Sequence, residues 1–292
     1  MRGSDVELLV PVLLTIFVWW FATGAVLYLN GLPACTFRWS NGITGLIGLC
    51  GLFALHLTRE DNTPTGAYTA FFGALAVWAW NEMSFLLGHI TGSTREECPH
   101  DARGLRRFIL AVQSIIYHEL VILASAVAIA IVTWGATNRF GLYTFLVFWV
   151  MRLSTKFNIF LGVPNITVQF LPKHLAYLAT YFAHRPMNLL FPFSVTLSTL
   201  AAARLTHLAI KAPDGGFESV GFAMVATLLV LGVLEHWFLV IPLPFGELWS
   251  WGMGAREGRV QPQHHKPDKI AIALPSAIVT PPVGPPIKTS RT

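Results

Sequence analysis

Eight of the ionisable side chains within long apolar stretches of this sequence could together do chemistry. Three are glutamates, three are histidines and two are basic: Glu82, Glu119, Glu235, His89, His118, His236, Arg152 and Lys156. An ionisable group in an apolar membrane segment is costly, so it usually faces the interior of a helix bundle or a wet cavity. These residues are therefore the first candidates for a functional site.

The glutamates and histidines occur close together in the sequence. Glu82 precedes His89 by seven residues, almost two helical turns, so the two side chains would share one helix face. His118 adjoins Glu119, and a second glutamate and histidine are adjacent at 235–236. Neighbours on a helix point about 100° apart. One member of each adjacent pair could therefore contact a partner helix while the other faces a cavity.

Several kinds of site fit this set of side chains. Carboxylates and imidazoles together suit a transition metal such as zinc, iron or manganese, so all six acidic and imidazole residues are candidate metal ligands. The Glu-x-x-His spacing of di-iron bundles is absent, however. A proton relay and a histidine ligand for the magnesium of a bacteriochlorophyll-type pigment are further alternatives. In a purely structural alternative, Arg152 and Lys156 compensate the three glutamates as buried ion pairs.

The elements that position these residues are predicted to be transmembrane helices. Hydrophobic residues make up 54% of the chain and charged residues 12%, whereas soluble domains carry about 25% charged residues. Apolar stretches of about 20 residues cross a bilayer as helices because lipid offers no hydrogen bonds to the backbone. The sequence predicts an all-α integral membrane protein, a polytopic bundle of about seven helices. The expected spans are 8–29, 41–57, 67–91, 108–134, 140–161, 187–210 and 219–244.

Two further segments complete the expected organisation. Pro172 to His184 predicts an amphipathic interfacial helix between the fifth and sixth spans. The end of the chain is rich in proline and lacks helical periodicity, which predicts a disordered tail that can be removed from position 261 onward without loss of insertion. The expected domains are a transmembrane helical domain, 1–250, and a cytoplasmic tail, 251–292.

The distribution of basic residues predicts the orientation, because cytoplasmic loops carry an excess of lysine and arginine. One side of the seven-span arrangement holds Arg2, Arg59, Arg139 and Lys211. The other holds Arg38, Arg95, Arg103, Arg106, Arg107, Lys173 and Arg185, followed by Arg256, Arg259, Lys266, Lys269, Lys288 and Arg291 in the tail. The second side is richer even without the tail. We therefore expect a periplasmic amino terminus and a cytoplasmic carboxyl terminus.

Four of the charged residues are expected at a common depth. With a rise of 1.5 Å per residue, each lies about 13–16 Å from the assigned cytoplasmic end of its helix. These four residues are Glu82, Glu119, Arg152 and Glu235. Helices that run in alternate directions would thus bring their charges together. We expect the three glutamates to converge in one cavity, with at least one of the three histidines and one of the two basic residues beside them.

Five segments also resemble a known family. They are RLSTKFNIFLGVPN at 152–165, FLPKHLAYL at 170–178, RPMN at 185–188, WNEMSFLLG at 80–88 and HEL at 118–120. In these segments the chain resembles the PuhE-type putative photosynthetic complex assembly proteins of purple phototrophic bacteria, over roughly residues 5–250. The resemblance implies a multispanning inner-membrane protein linked to reaction-centre assembly or to control of bacteriochlorophyll production. It implies no catalytic residues.

Three function classes follow. The first is a photosynthetic assembly or regulatory factor that binds pigment, a pigment-biosynthesis protein or nascent reaction-centre helices. The second is a membrane metalloenzyme with a carboxylate and histidine site that acts on a tetrapyrrole or another lipid-soluble substrate. The third is a transporter, although no internal repeat is evident. The net charge is +5, and the 20 lysine and arginine residues are spread through loops between apolar stretches. Membrane topology accounts for this distribution, so a nucleic-acid partner is not expected.

Overall fold

The computed structural model describes residues 3–166, 168–243 and 245–257, and within these ranges the chain is helical with no strand. The longer helices are α1 (Gly3–Asn30), α2 (Phe37–Leu57), α3 (Pro64–Leu86), α4 (Gly104–Gln113), α5 (Ile116–Val132), α6 (Phe140–Leu161), α7 (Leu190–Lys211), α8 (Phe217–Phe238) and α9 (Ser250–Glu257). Short 3-10 helices occur at Ala34–Thr36, Val168–Phe170, Lys173–Tyr181 and Phe245–Trp249. The all-α polytopic bundle expected from the sequence is confirmed.

Five of the described helices are long and apolar enough to cross a membrane, and a sixth span is formed if α4 and α5 count as one bent helix. Large apolar side chains cover their outer surfaces: Leu46 is 63% exposed, Leu49 67% and Ile131 67%. Such a surface suits lipid and would be unfavourable in water. The chain is therefore a multi-pass membrane protein.

Helix α3 corresponds to the third predicted span, but its hydropathy alone does not identify it as a membrane-spanning helix. It is 23 residues long, and 13 of these residues are buried by neighbouring helices. It packs against α1, α2, α5, α6 and α8, so it lies inside the bundle. A helix surrounded by protein can carry polar residues such as Asn81 and Glu82 without exposing them to lipid.

Small residues bring α2 and α3 close together. A Cβ atom added to Gly51 would lie 2.6 Å from the carbonyl oxygen of Gly73, which leaves no room for a side chain. Close approach of backbones over small residues is a common basis of helix association in membranes. On its other side, α3 contributes Phe71 and Ala74 to a core shared with α5, α6 and α8.

The structure corrects several predicted boundaries. The third span, expected at 67–91, ends at Leu86, and the seventh, expected at 219–244, ends at Phe238. The fourth, expected as one helix over 108–134, is broken into α4 and α5, whose axes differ by 63°. The segment Pro172–His184 contains a 3-10 helix over Lys173–Tyr181.

The break between α4 and α5 is held by the loop that precedes α4. The carbonyl oxygen of Thr91 accepts a hydrogen bond from the backbone N–H of His118 at 2.9 Å, and that of Gln113 accepts from the N–H of Ser93 at 2.8 Å. The first N–H groups of a helix have no partner within the helix. The loop supplies one such partner, and it approaches closely because Gly92 carries no Cβ, which would meet the backbone of Ser114.

The described chain ends by packing back on α1. Trp20 Nε1 donates to the carbonyl oxygen of Leu248 at 2.8 Å, and Trp249 Nε1 donates to that of Trp20 at 2.9 Å. The predicted domain boundary at 251 falls inside α9, and the described residues up to Glu257 belong to one compact unit. Most of the predicted tail lies outside the described residues, as does the truncation at 261.

Candidate functional site

Two ion pairs connect α6 to its neighbours. Arg152 and Lys156 are four residues apart and share one face of α6. Arg152 Nη2 lies 3.1 Å from Oε2 of Glu82 on α3, and Lys156 Nζ lies 2.5 Å from Oε1 of Glu119 on α5. Both side chains of the second pair are 19% exposed. We call Glu82, His118, Glu119, Arg152, Lys156 and Glu235 the polar layer.

His118 lies beside the first ion pair and is almost completely buried, with 1% of its surface exposed. Its Nε2 atom is 3.9 Å from Oε1 of Glu82. The ring stacks on Phe85, with ring centroids 4.3 Å apart, and Phe85 also lies 5.8 Å from the ammonium of Lys156. Phe85 thus covers both the imidazole and the second ion pair.

The facing atoms of Glu82 and His118 keep hydrogen-bonding capacity. Within the described part of the chain, neither Glu82 Oε1 nor His118 Nε2 has a hydrogen-bond partner, and Arg152 Nε has none either. A buried polar atom without a partner costs about 1–3 kcal/mol. At this point the layer therefore contains buried polar atoms that no described protein group satisfies.

Glu235 completes the layer from α8 and differs from the other two glutamates. Its carboxylate accepts a hydrogen bond from Nε1 of Trp19 at 2.7 Å, and the residue is exposed on the surface of the bundle. It also interacts electrostatically with Arg152, which already pairs with Glu82. Trp19 is the central residue of the 23-residue apolar segment Leu8–Asn30. The bond therefore places the carboxylate, which lies in the last turn of α8, level with the middle of the apolar segment of α1.

His236 is buried and is not part of the polar layer. Its Nδ1 atom lies 2.8 Å from the carbonyl oxygen of Gly232, and its Nε2 atom lies 2.9 Å from Oγ of Ser154. Because a carbonyl oxygen only accepts, Nδ1 carries the proton, and Nε2 of the neutral ring accepts from the Ser154 hydroxyl. His236 thus joins α8 to α6.

Ser154 belongs to a hydrogen-bond network that continues away from the polar layer. The hydroxyl groups of Ser154 and Ser194 are 3.0 Å apart, and Asn158 Nδ2 donates to Oγ of Ser194 at 3.2 Å. Asn158 is fully buried and in turn accepts a hydrogen bond from Asn188 through its side-chain oxygen at 3.1 Å. The network therefore links α6, α7 and α8 through side chains that have no charge.

The side chain of Asn188 forms hydrogen bonds with backbone groups at the end of α6 and at the start of α7. Its Nδ2 donates to the carbonyl oxygens of Asn158 at 3.1 Å and Gly162 at 2.9 Å, at the end of α6. Its Oδ1 accepts from the N–H groups of Leu190 at 2.9 Å and Phe191 at 3.1 Å, at the start of α7. Both sets of backbone groups would otherwise lack helical partners.

We expect Asn188→Ala to lower the free energy of unfolding by about 2–4 kcal/mol, because it leaves buried backbone groups of two helices unpaired. Asn188→Asp retains the acceptor for α7 but loses the donor for α6, so its loss of stability should be intermediate. Denaturant titration of the purified protein in detergent micelles measures both effects. An Asn188→Ala protein as stable as the unaltered chain would contradict this role.

His89 lies outside the polar layer, contrary to the predicted pairing with Glu82 on the third span. Helix α3 ends at Leu86, and Gly88 follows with a φ of 77°, a left-handed conformation that terminates helices. His89 is exposed in the turn that follows. The two-turn spacing from Glu82 therefore has no consequence, because the helix does not continue between the two residues.

The six candidate metal ligands are not brought together as one ligand set. Among the described residues, no group of three or more histidine, cysteine, aspartate or glutamate side chains could hold a metal ion. Glu82 and His118 face each other, whereas Glu119 contacts Lys156 and His236 contacts Ser154. The geometry instead supports ion pairs and hydrogen bonds between helices.

The sequence interpretation missed three residues that shape the site: Trp19, Phe85 and Ser154. Ser154 and Phe85 both lie in the segments that carry the family resemblance, which was a usable signal. Trp19 lies 216 residues before its partner Glu235, and nothing in the local pattern indicates that contact. A tryptophan in the middle of a span is nevertheless a candidate donor, because its buried N–H requires a partner.

Comparison with known proteins identifies the family of this chain and a relative. The model of a family described as a protein of unknown function (DUF3623) matches residues 6–260. An uncharacterized 30.4 kDa protein in the puhA 5′ region of Rhodobacter capsulatus is 41% identical over 245 residues, which cover 82% of this chain and 88% of that protein. No solved structure matches. The matched region contains all of the polar layer and the network around Asn188, and the chain therefore belongs to the DUF3623 family.

Proposed function

We propose that this chain is a PuhE-type assembly or regulatory factor of the photosynthetic membrane, acting in reaction-centre assembly or in the control of bacteriochlorophyll production. The observation that carries this proposal is the 41% identity to a protein of the puhA 5′ region, which is a photosynthesis gene region. The identity extends over most of both chains, so it concerns the whole membrane domain.

The polar layer supports a binding role. Its cations are used to hold α3, α5 and α6 together, and Phe85 covers part of it. The carboxylate of Glu235 reaches the bundle surface, as does the side chain of Arg152, which is 41% exposed. Such surface groups are available to pair with a membrane partner, whereas the alternative of a metalloenzyme requires a ligand set that the described residues do not form.

Localisation in the bacterial inner membrane, with a periplasmic amino terminus and a cytoplasmic carboxyl terminus, is part of the proposal. The reason is the excess of basic residues on one side of the predicted spans. A reporter fused at Thr292 should be active in the cytoplasmic sense, and one fused after Asp61 in the periplasmic sense. The reverse pattern would contradict the proposed orientation.

Deletion of the gene in a phototrophic host tests the proposed function. We expect a lower content of reaction centres, bacteriochlorophyll or both, restored by expression of the full chain. Loss of reaction-centre subunits with unchanged pigment indicates assembly, and loss of total pigment indicates control of its production. Absorbance spectra of membranes, pigment extraction and immunoblots of the subunits provide these measurements. Unchanged levels of both would contradict the proposed function.

A further inference from the structure

Helix α4 has one side that faces the protein and an opposite side that exposes apolar side chains. Arg107 and Ala111, one turn apart, face the protein: the Arg107 guanidinium lies 4.5 Å from the centre of the Phe160 ring, and Ala111 packs against a cluster of buried residues. Leu105 and Ile109 lie on the opposite side and are 72% and 47% exposed. Exposed apolar side chains that share one side of a helix are unfavourable in water and suit lipid.

The hydrogen bonds of Arg107 place α4 at the level where α6 ends. Its Nη2 atom donates to the carbonyl oxygen of Tyr181 at 2.5 Å and to that of Phe160 at 3.5 Å. Phe160 is the penultimate residue of α6, which ends at Leu161 and is one of the helices long and apolar enough to cross a membrane. Helix α4 therefore lies at the boundary of the membrane.

Helix α5 accounts for the membrane crossing of the bent pair. Exposed aromatic side chains mark both of its ends: Tyr117, in its first turn, is 52% exposed, and Trp134, just after its last turn, is 84% exposed. Tyrosine and tryptophan are enriched at both membrane interfaces, and these two lie about 25 Å apart along the helix axis. Because α4 is bent from α5 by 63°, it leans towards the plane of the interface at the Tyr117 end.

Basic side chains flank the exposed apolar side of α4. Arg103 immediately precedes the helix and Arg106 lies in its first turn, and both are exposed. Arg106 pairs with the exposed Asp101 at 2.6 Å, whereas Arg103 forms no ion pair within the described part of the chain. Two exposed arginines against one aspartate leave a net positive charge beside Leu105. A short helix with exposed apolar and basic side chains is typical of segments that lie in the membrane interface.

We propose that α4 lies in the membrane interface and binds anionic phospholipids. Leu105 and Ile109 insert among the acyl chains, and Arg103 and Arg106 pair with the headgroups beside them. The choice of a lipid surface follows from the level of α4 at the end of a membrane-spanning helix and from its exposed apolar side. The choice of anionic lipid follows from the two exposed arginines. The inference does not depend on the proposed function.

Fluorescence quenching by labelled lipids tests this assignment in the full chain. A fluorophore is attached at Leu105→Cys after the three native cysteines, Cys35, Cys50 and Cys98, have been replaced by serine. The labelled chain is reconstituted in vesicles of phosphatidylcholine and phosphatidylglycerol at a fixed ratio, with a nitroxide quencher on the acyl chain of one lipid or the other. We expect both lipids to quench, and labelled phosphatidylglycerol to quench more strongly, on the order of twofold, because the arginines enrich it around α4.

Two double variants of the labelled chain identify the arginines responsible. Arg103→Gln with Arg106→Gln should equalise quenching by the two lipids and leave α4 in place, because both side chains are exposed and glutamine supports a helix. Arg59→Gln with Arg139→Gln is the matched control. These arginines are also exposed, but Arg139 precedes the start of α6, whereas α4 lies at its end, so the preference should not change.

Three results would overturn the inference. The first is equal quenching by the two lipids in the labelled chain, and the second is a preference that persists in the Arg103 and Arg106 variant. The third is the absence of quenching by either lipid, since the exposed side of α4 would then face water or a protein. Unchanged quenching by phosphatidylcholine in each variant is the check that α4 keeps its position.

Discussion

Replacing Lys156 by methionine is expected to lower the free energy of unfolding by about 3–5 kcal/mol, one of the largest effects of any single substitution in this chain. Lys156 and Glu119 are both mostly buried, and methionine leaves the carboxylate without a compensating charge. The cost comes from that uncompensated carboxylate more than from the loss of attraction. Denaturant titration of the purified protein in detergent micelles measures the change.

Two further variants separate this explanation from a general loss of packing. Combining Lys156→Met with Glu119→Leu removes both charges and should recover most of the lost stability. Arg106→Met breaks the ion pair with Asp101, whose side chains are 62% and 71% exposed, and should cost less than about 1 kcal/mol. A double variant no more stable than Lys156→Met would show that the ion pair is not the cause.

The helical framework was largely predictable, because hydrophobicity along a membrane span is a local property of the sequence. The fifth predicted span, 140–161, coincides with α6 from Phe140 to Leu161. The residue types that pair with the glutamates were also predictable, because buried acids require cations. Helix α6 provides Arg152 and Lys156, one turn apart. The pairing of each cation with its own glutamate depends on helix positions that the sequence pattern does not give.

The ends of helices were less predictable, because contacts with distant residues determine them. Helix α3 ends at Leu86 with Gly88 in a left-handed conformation, although the apolar pattern continues past it. The break after α4 requires the close approach of Gly92, which lies in a different loop. The displacement of His89 from the site follows from the first of these features, since a histidine two turns after Glu82 faces it only in an unbroken helix.

The role of His236 was not predictable from its neighbour in the sequence. Adjacency to Glu235 suggested that both residues serve one site, but Glu235 contacts Trp19 on α1, whereas His236 contacts Ser154 on α6. Consecutive residues on a helix point in different directions. In α8 this divergence gives one exposed carboxylate and one buried imidazole, and it explains why the six acidic and imidazole residues do not form one ligand set.

The second large effect is expected for Glu235→Gln on function, with little effect on stability. Glutamine has almost the same shape as glutamate and retains an oxygen that accepts the bond from Trp19, so the contact between α1 and α8 should persist. The change removes the carboxylate charge that Glu235 contributes to the polar layer. Function should therefore be lost through weaker binding of a partner, in a protein that still folds and inserts.

Complementation of the deletion strain by Glu235→Gln tests most directly whether the polar layer serves photosynthetic assembly. Membrane abundance of the variant is measured by immunoblot together with reaction-centre and bacteriochlorophyll content. We expect normal abundance of the variant and failure to restore the photosynthetic complexes. Glu218→Gln is the matched control, because Glu218 is an exposed glutamate at the other end of α8, and it should restore them fully. Full restoration by Glu235→Gln at normal abundance, or a loss that only follows reduced abundance, would contradict a functional role for this carboxylate.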